Sequence, residues 1–142
     1  MTTPAEKPLR VTAFFERMGL LFTEGRLEEL AGLWHFPCPI MLDSQILLLR
    51  NRAGFLTHMT AQRDAALAQG PVTIVPLVSA VEIPRYGRLR VWMRWRTTSA
   101  HGVVDDQFGS VFYLSRSPQG VLCVEMIETS PRFTAQPTRA TA

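Results

Sequence analysis

Residues 27–42 read LEELAGLWHFPCPIML. Leu27, Leu30, Ala31 and Trp34 lie three and four apart, so a helix puts them on one face. Glu28 and Glu29 fall in its first turn, where carboxylates favour the positive end of the helix dipole. Pro37 and Pro39 forbid continuation, because proline lacks an N–H and clashes with the preceding turn. The apolar run Ile40–Leu42 follows at once. The spacing predicts a short amphipathic helix ending near Trp34 or His35, then a turn into a strand.

On the N-terminal side, Val11, Phe14, Phe15, Met18, Leu21 and Phe22 keep to helical spacing, and Gly25 breaks the pattern. Residues 1–8 carry two prolines and small polar residues, and read as a flexible arm. On the C-terminal side, Ile40–Leu42 and Ile46–Leu49 flank Asp43-Ser44-Gln45, which predicts a hairpin. Residues 52–69 set Phe55, Leu56, Met59, Ala66 and Leu67 on one side of a third helix, stopped by Gly70-Pro71. Beyond Pro71 the period falls to two. Residues 72–83, 89–98, 103–114 and 121–128 read as four long strands joined by short turns, an antiparallel meander. From Pro131 the composition predicts a disordered tail. The expected organisation is one domain over residues 9–130.

The totals agree with one globular domain. At 142 residues, 46% hydrophobic and 19% charged, the chain can bury a real core. Of 15 basic residues only Lys7 is a lysine, and a net charge of +3 is too small to argue for nucleic acid. Cys38 and Cys123 form no disulfide framework and match no metal or redox spacing. No run approaches the roughly 20 apolar residues of a membrane helix, and the first residues lack an apolar leader. The expectation is a soluble cytoplasmic protein without membrane contact.

The segment Glu24-Gly25-Arg26-Leu27-Glu28-Glu29-Leu30-Ala31-Gly32-Leu33-Trp34 is similar to a recurring G-D-x-E-A-L-x-x-L-W/Y stretch of the nuclear transport factor 2-like superfamily. That superfamily includes the SnoaL-like proteins and ketosteroid isomerase. Arg26 stands where the usual acid would be. The element order also resembles that of the superfamily, over residues 9–130. The resemblance implies an α+β roll, in which a cone-shaped, curved, mostly antiparallel sheet wraps around three N-terminal helices. Trp34 would then be a cavity wall or a plain core residue. The resemblance says little about activity, since isomerases, dehydratases, hydrolases, cyclases and non-enzymes share the fold.

Ketosteroid isomerase-type chemistry needs an aspartate base after the first strand, a helix tyrosine and a protonated acid in the sheet. Asp43 lies beside the base position, which an ungapped match puts on Leu42. Met18 occupies the tyrosine position, and the acid position falls within Gln107–Ser110. Two roles are therefore missing, which argues against steroid isomerisation. His35, His58 and His101 show neither metal spacing nor a carboxylate-flanked pattern, so no metal and no cofactor is expected.

Strand alternation assigns the two faces of the sheet. Leu89, Val91, Met93 and Trp95 point towards the helices, while Arg88, Arg90, Trp92, Arg94 and Arg96 point away. Asp105, Gln107, Val111, Tyr113 and Glu125 share that outer face. It reads as a solvated face, a homodimer interface or a nucleic-acid surface. The acids argue against nucleic acid, and the interface expected is Arg88, Arg90, Trp92, Arg94, Arg96 and Glu125. The inner parity also places Asp106 and Ser110 among phenylalanines, unless the strand end keeps Asp106 in water.

The expected cavity lining from the helical half is Phe14, Phe15, Met18, Trp34, Phe55 and Met59. From the strands it is Met93, Trp95, Phe108, Ser110, Phe112 and Met126. Such a lining suits a small apolar or aromatic ligand, though the same residues could simply pack on each other. The functional expectation is a SnoaL-like domain binding such a ligand, with a non-catalytic role favoured. One alternative is an isomerase, dehydratase or hydrolase using Asp106, His35 or Asp43 as acid or base. Another is an interaction module built on the Arg/Trp face.

Overall fold

The computed structural model describes residues 6–106 and 109–130. Three helices, α1 (Glu6–Thr23), α2 (Leu27–Ala31) and α3 (Arg52–Ala66), pack on seven strands. The strands are β1 (Cys38–Met41), β2 (Ile46–Leu49), β3 (Thr73–Val81), β4 (Arg88–Ser99), β5 (Gly102–Asp105), β6 (Gly109–Arg116) and β7 (Leu122–Ser130). They form one sheet in the order β2-β1-β7-β6-β4-β3, with β5 paired to β4. All pairings are antiparallel except β1 with β7. The α+β roll with its mostly antiparallel sheet is the architecture that the resemblance implied.

α1 begins at Glu6, so the expected arm over residues 1–8 is too long. Pro8 sits in the first turn, where its missing N–H leaves no helical bond unmade. Residues 1–5 and the expected tail over residues 131–142 lie outside the described residues. At the other end of α1, Gly25 adopts φ 76° and turns the chain into α2. Arg63 of α3 donates to the carbonyls of Phe22 and Thr23 at 3.0 Å each, satisfying acceptors that the end of α1 leaves open. Asn51 caps α3 by accepting from the Gly54 N–H at 2.9 Å.

α2 is shorter than its spacing suggested. It stops at Ala31, and the chain reaches Trp34 through a turn, with Gly32, Leu33 and Trp34 donating to carbonyls three residues back. Trp34 then bridges to Val124 of β7 in parallel, held by bonds between Val124 N–H and Leu33 O (2.9 Å) and between His35 N–H and Val124 O (2.8 Å). Tertiary pairing to the sheet overrides a helical periodicity only a few residues long.

The predicted strand 103–114 is two strands, β5 ending at Asp105 and β6 beginning at Gly109, both paired to β4. A second departure lies in β7. Opposite Tyr113 and Leu114, the partners are Met126 and Val124, so Glu125 is an extra residue, a β-bulge. It reverses the parity of everything beyond it. A smaller irregularity at Ser79 interrupts the pairing of β3 with β4. Pro76 is accommodated because β3 is a sheet edge.

The core lies between the helices and the concave sheet face. Phe15 is fully buried at its centre, with ring centroids 4.9 Å from Phe112, 5.4 Å from Phe14 and 6.2 Å from Trp95. Gly19 lets α1 approach β3: a β-carbon there would stand 3.1 Å from the Ile74 carbonyl oxygen and 3.3 Å from the Trp95 ring. No described helix is long and apolar enough to cross a membrane.

Candidate functional site

The helices do not fill the cone. A cavity of about 350 Å3 remains between α1, the chain around Trp34, α3 and the concave sheet. Its buried floor is apolar, made by Met18, Leu30, Trp34, Phe112 and Ile127. The sheet wall adds hydroxyls: Thr97, Ser110 and Thr129, of which the last two bond to each other at 2.9 Å. The exposed Gln62 and Ala66 of α3 and Asp106 of the sheet also line it, which places its mouth between the end of α3 and the break separating β5 from β6.

Two titratable groups line this space, Asp106 beside the sheet and His58 on α3. Asp106 stands at the rim, its N–H bonded to the Trp95 carbonyl at 2.8 Å. The side chain is exposed on one side, but burial on the cavity side pushes its carboxyl above the ordinary aspartate range. The Asp105 charge adds to that shift, and a backbone hydrogen bond with Trp95 opposes it. His58, half-buried on α3, is shifted the other way, because burial disfavours its protonated form. Both shifts have one cause, a desolvated mouth that resists charge.

The expected lining divides into three sets. Met18, Trp34, Met59, Trp95, Ser110 and Phe112 border the cavity. Phe14, Phe15, Phe55 and Met93 do not; Phe15, Phe55 and Met93 are buried core, and Phe14 packs against it. Met126 is a correction: the Glu125 bulge turns it opposite Tyr113, and Ile127 and Thr129 face the cavity instead. Phe108 lies outside the described residues. Leu30 and Phe22 also contribute, as core-facing residues that the helical pattern marked without singling them out for the cavity.

Of the three acid–base candidates, only Asp106 belongs to the cavity. His35 is exposed and held by its backbone to Val124. Asp43 is exposed in the β1–β2 turn, where its carboxylate accepts from Ser130 at 3.5 Å. The geometry therefore corrects both assignments: neither side chain lines the cavity. His58 joins Asp106 there, although its sequence position on α3 gave no distinguishing signal. Trp34 is a cavity wall as well as a core residue, 5.0 Å from Phe55 between ring centroids. Its buried indole N–H has no hydrogen-bond partner among the described residues.

The outer face is chemically different. Arg90 grips Glu82 at 2.7 Å and lies over the Trp92 ring at 5.1 Å. Asp105 takes Arg96 at 2.7 Å and Arg94 at 3.7 Å. Those contacts hold the Glu82 and Asp105 carboxyls below their ordinary ranges. Tyr113 donates to Glu128 at 2.9 Å and Ser115 to Glu125 at 2.8 Å. Arg88 lies on the same face without an ion pair among the described residues. Cys38 is buried, its thiol pushed up to about 12, first by burial and then by Glu125 and Cys123. Among the described residues no three His, Cys, Asp or Glu side chains are grouped so as to hold a metal ion.

No protein-family model matches the chain, and no curated protein matches it. Solved structures do. A domain of unknown function with a cystatin-like fold from Nostoc punctiforme is similar at a TM-score of 0.67 and 12% identity, covering 99% of this chain and 85% of that one. An NTF2-like protein with a cystatin-like fold from Novosphingobium aromaticivorans gives 0.61 and 15%, covering 88% and 81%. The fold is nuclear transport factor 2-like. Another protein of similar fold, from Catenulispora acidiphila and solved in complex with S-DNPA, gives 0.63 and 16%, covering 92% and 98%. At these identities the likeness establishes the nuclear transport factor 2-like fold alone.

Proposed function

We propose that this protein binds a small, mostly apolar molecule inside the cone. The observation that carries the reading is the cavity itself: about 350 Å3, with an apolar floor and a few polar groups gathered on the sheet wall and at the mouth. Small-molecule sites have this size and this division of labour, apolar surface for affinity and sparse polar groups for orientation. The ligand would rest its apolar body on Met18, Leu30, Phe112 and Ile127, with the Trp34 indole N–H and the sheet-wall hydroxyls as inner polar contacts and Gln62, His58 and Asp106 towards the entrance. The Catenulispora protein in complex with S-DNPA is consistent with ligand holding by this fold. The test is a titration with 2-naphthol, followed by tryptophan emission and calorimetry. Saturable binding in the wild type, lost in Ala66→Trp, supports the reading, since Ala66 is exposed and the indole would plug the mouth. Absence of saturable binding across a panel of one- to three-ring apolar compounds removes it.

The presence of Asp106 and His58 in one cavity lining favours a second reading, acid–base catalysis on the bound molecule. Burial favours the acid form of the Asp106 carboxyl and the neutral form of the His58 imidazole, the forms in which a carboxyl donates and an imidazole accepts a proton. This reading requires turnover that Asp106→Asn and His58→Gln each abolish while 2-naphthol still binds.

For the outer sheet face, we propose a second copy of the chain as partner. Trp92 and Arg94 are residue types favoured in interfaces, and the Arg94 Nε is buried without a hydrogen-bond partner among the described residues. Val75, 40% exposed, and the half-buried Leu77 stand opposite Arg96 and Arg94 and extend this face with apolar surface.

A further inference from the structure

A second concavity lies where the β3–β4 and β6–β7 turns meet the start of α1, and it shares no lining residue with the cone cavity. Its charged lining is Arg10 and Arg116; its other polar side chains are Tyr86, Ser117 and Gln119. Among the described residues no carboxylate borders it. Arg10 and Arg116 make no ion pair among the described residues, whereas Arg90, Arg94 and Arg96 on the sheet each hold an acid.

Three details make this a built surface. First, Gly120 has φ 88°, and a β-carbon there would stand 3.2 Å from the Arg10 Nη1, so the glycine leaves room for the guanidinium to lie against the turn. Second, the Ser117 Oγ accepts from the Val121 N–H at 3.1 Å, which anchors the hydroxyl and leaves its own proton to donate. Third, Tyr86 and Gly87 have φ values of 54° and 73° between the mutually bonded Arg85 and Arg88, the geometry of a two-residue hairpin turn with both central residues left-handed. Such turns favour Asn, Asp or Gly at the first central position. Tyrosine gives up that preference and projects a ring that is 98% exposed.

We propose that this concavity binds a phosphoryl group. Arg10 and Arg116 pair with its oxygens, since guanidinium groups match phosphate geometry with paired N–H donors. The Ser117 hydroxyl donates a further bond. The Tyr86 ring packs against whatever carries the phosphate, which would otherwise be a costly residue to leave in water on a strained turn. The phosphate could belong to a small metabolite or to a nucleic-acid strand; the chemistry recognised is the same.

The experiment is an amide-resolved NMR titration of the full chain with inorganic phosphate, adenosine monophosphate and a short oligodeoxythymidine strand. Expected are saturable shifts of the Gly87, Ser117 and Gly120 amides, weakened about tenfold or more in Arg10→Gln with Arg116→Gln, one charge-assisted pair being worth that much. Arg10→Gln alone, at an exposed position, gives a weaker loss without risk to the fold. Tighter binding of the monophosphate than of phosphate, lost in Tyr86→Ala, identifies a small phosphorylated ligand. Tightest binding of the strand, falling steeply with salt, identifies nucleic acid. Absence of saturable shifts with all three probes overturns the proposal, as does unchanged affinity in the double variant.

Discussion

The two faces of β4 come from one run of residues, RLRVWMRWRTTS, and behave as two materials. On the inner face Leu89, Val91 and Met93 are at most 3% exposed, and packing fixes them. On the outer face Arg90, Arg94 and Arg96 are exposed or half-buried, and charge pairing fixes them. The inner face derives its energy from apolar area removed from water, about 25 cal/mol per Å2. The outer face exchanges water for ion pairs, an exchange that nets little where solvent still reaches both partners. Stability should therefore live inside, and selectivity towards partners outside.

The hardest test of that contrast is Phe15→Ala. Phe15 is completely buried, and its removal leaves a void among Phe14, Trp95 and Phe112 that their rings cannot close. A loss of about 3–5 kcal/mol is expected in urea unfolding. A loss below about 1 kcal/mol would mean that the core relaxes into the neighbouring cavity. Next is Trp92→Ala combined with Arg94→Glu. If the outer face holds a second copy, sedimentation velocity should show a dimer in the wild type and a monomer in the variant, with the unfolding midpoint of the monomer little changed. Unchanged mass would leave that face simply solvated.

A smaller effect concerns the mouth. The native Asp106 carboxyl binds its proton more tightly than the unfolded chain does, so the native state carries the extra proton between the two values. Stability should fall as pH rises from about 3.9 through the raised native value, then level off. Asp106→Asn should remove that fall and raise the melting temperature at neutral pH by about one or two degrees. His58 gives the mirror image. Its native value is lowered, so stability should fall as pH drops below about 6.5, and His58→Gln should flatten that limb. The smallest effect is expected for Arg96→Gln, which breaks the 2.7 Å pair with Asp105 but leaves both groups to water. No resolvable change in the urea midpoint is expected, and a clear loss would show that the outer network is cooperative.

Much of this arrangement was legible in the chain. The burial of Val11, Phe15, Met18 and Leu21 followed from helical spacing, and the two faces of β4 from strict alternation. Parity counted from Phe112 put Asp106 on the inner face unless the strand end kept it in water; it is exposed, beyond the end of β5, and lines the cavity at its rim. What failed to read failed for definite reasons. Met126 was assigned inward because alternation assumes an unbroken strand, and a bulge at Glu125 leaves no mark in composition. Trp34 was placed on a helix because three residues cannot distinguish a helical turn from an approach to β7. Asp43 and His35 looked eligible because their residue types suit the chemistry, and type carries no information about distance.

The sequence alone determined which residues prefer to leave water, and with what period. That was enough for most of the elements, their order and the two faces of β4, because hydrophobic periodicity is a local property of the chain, whereas the curvature of the sheet was implied by the family resemblance alone. The tertiary structure alone decided that the cone is not filled, that His58 of α3 and Asp106 line the same cavity, and that Arg10 lies against Gly120. Those facts depend on contacts between residues far apart in the chain, and on bulges and turns that shift register by a single residue. A void is a property of how surfaces fit together, and no single stretch of the chain encodes it.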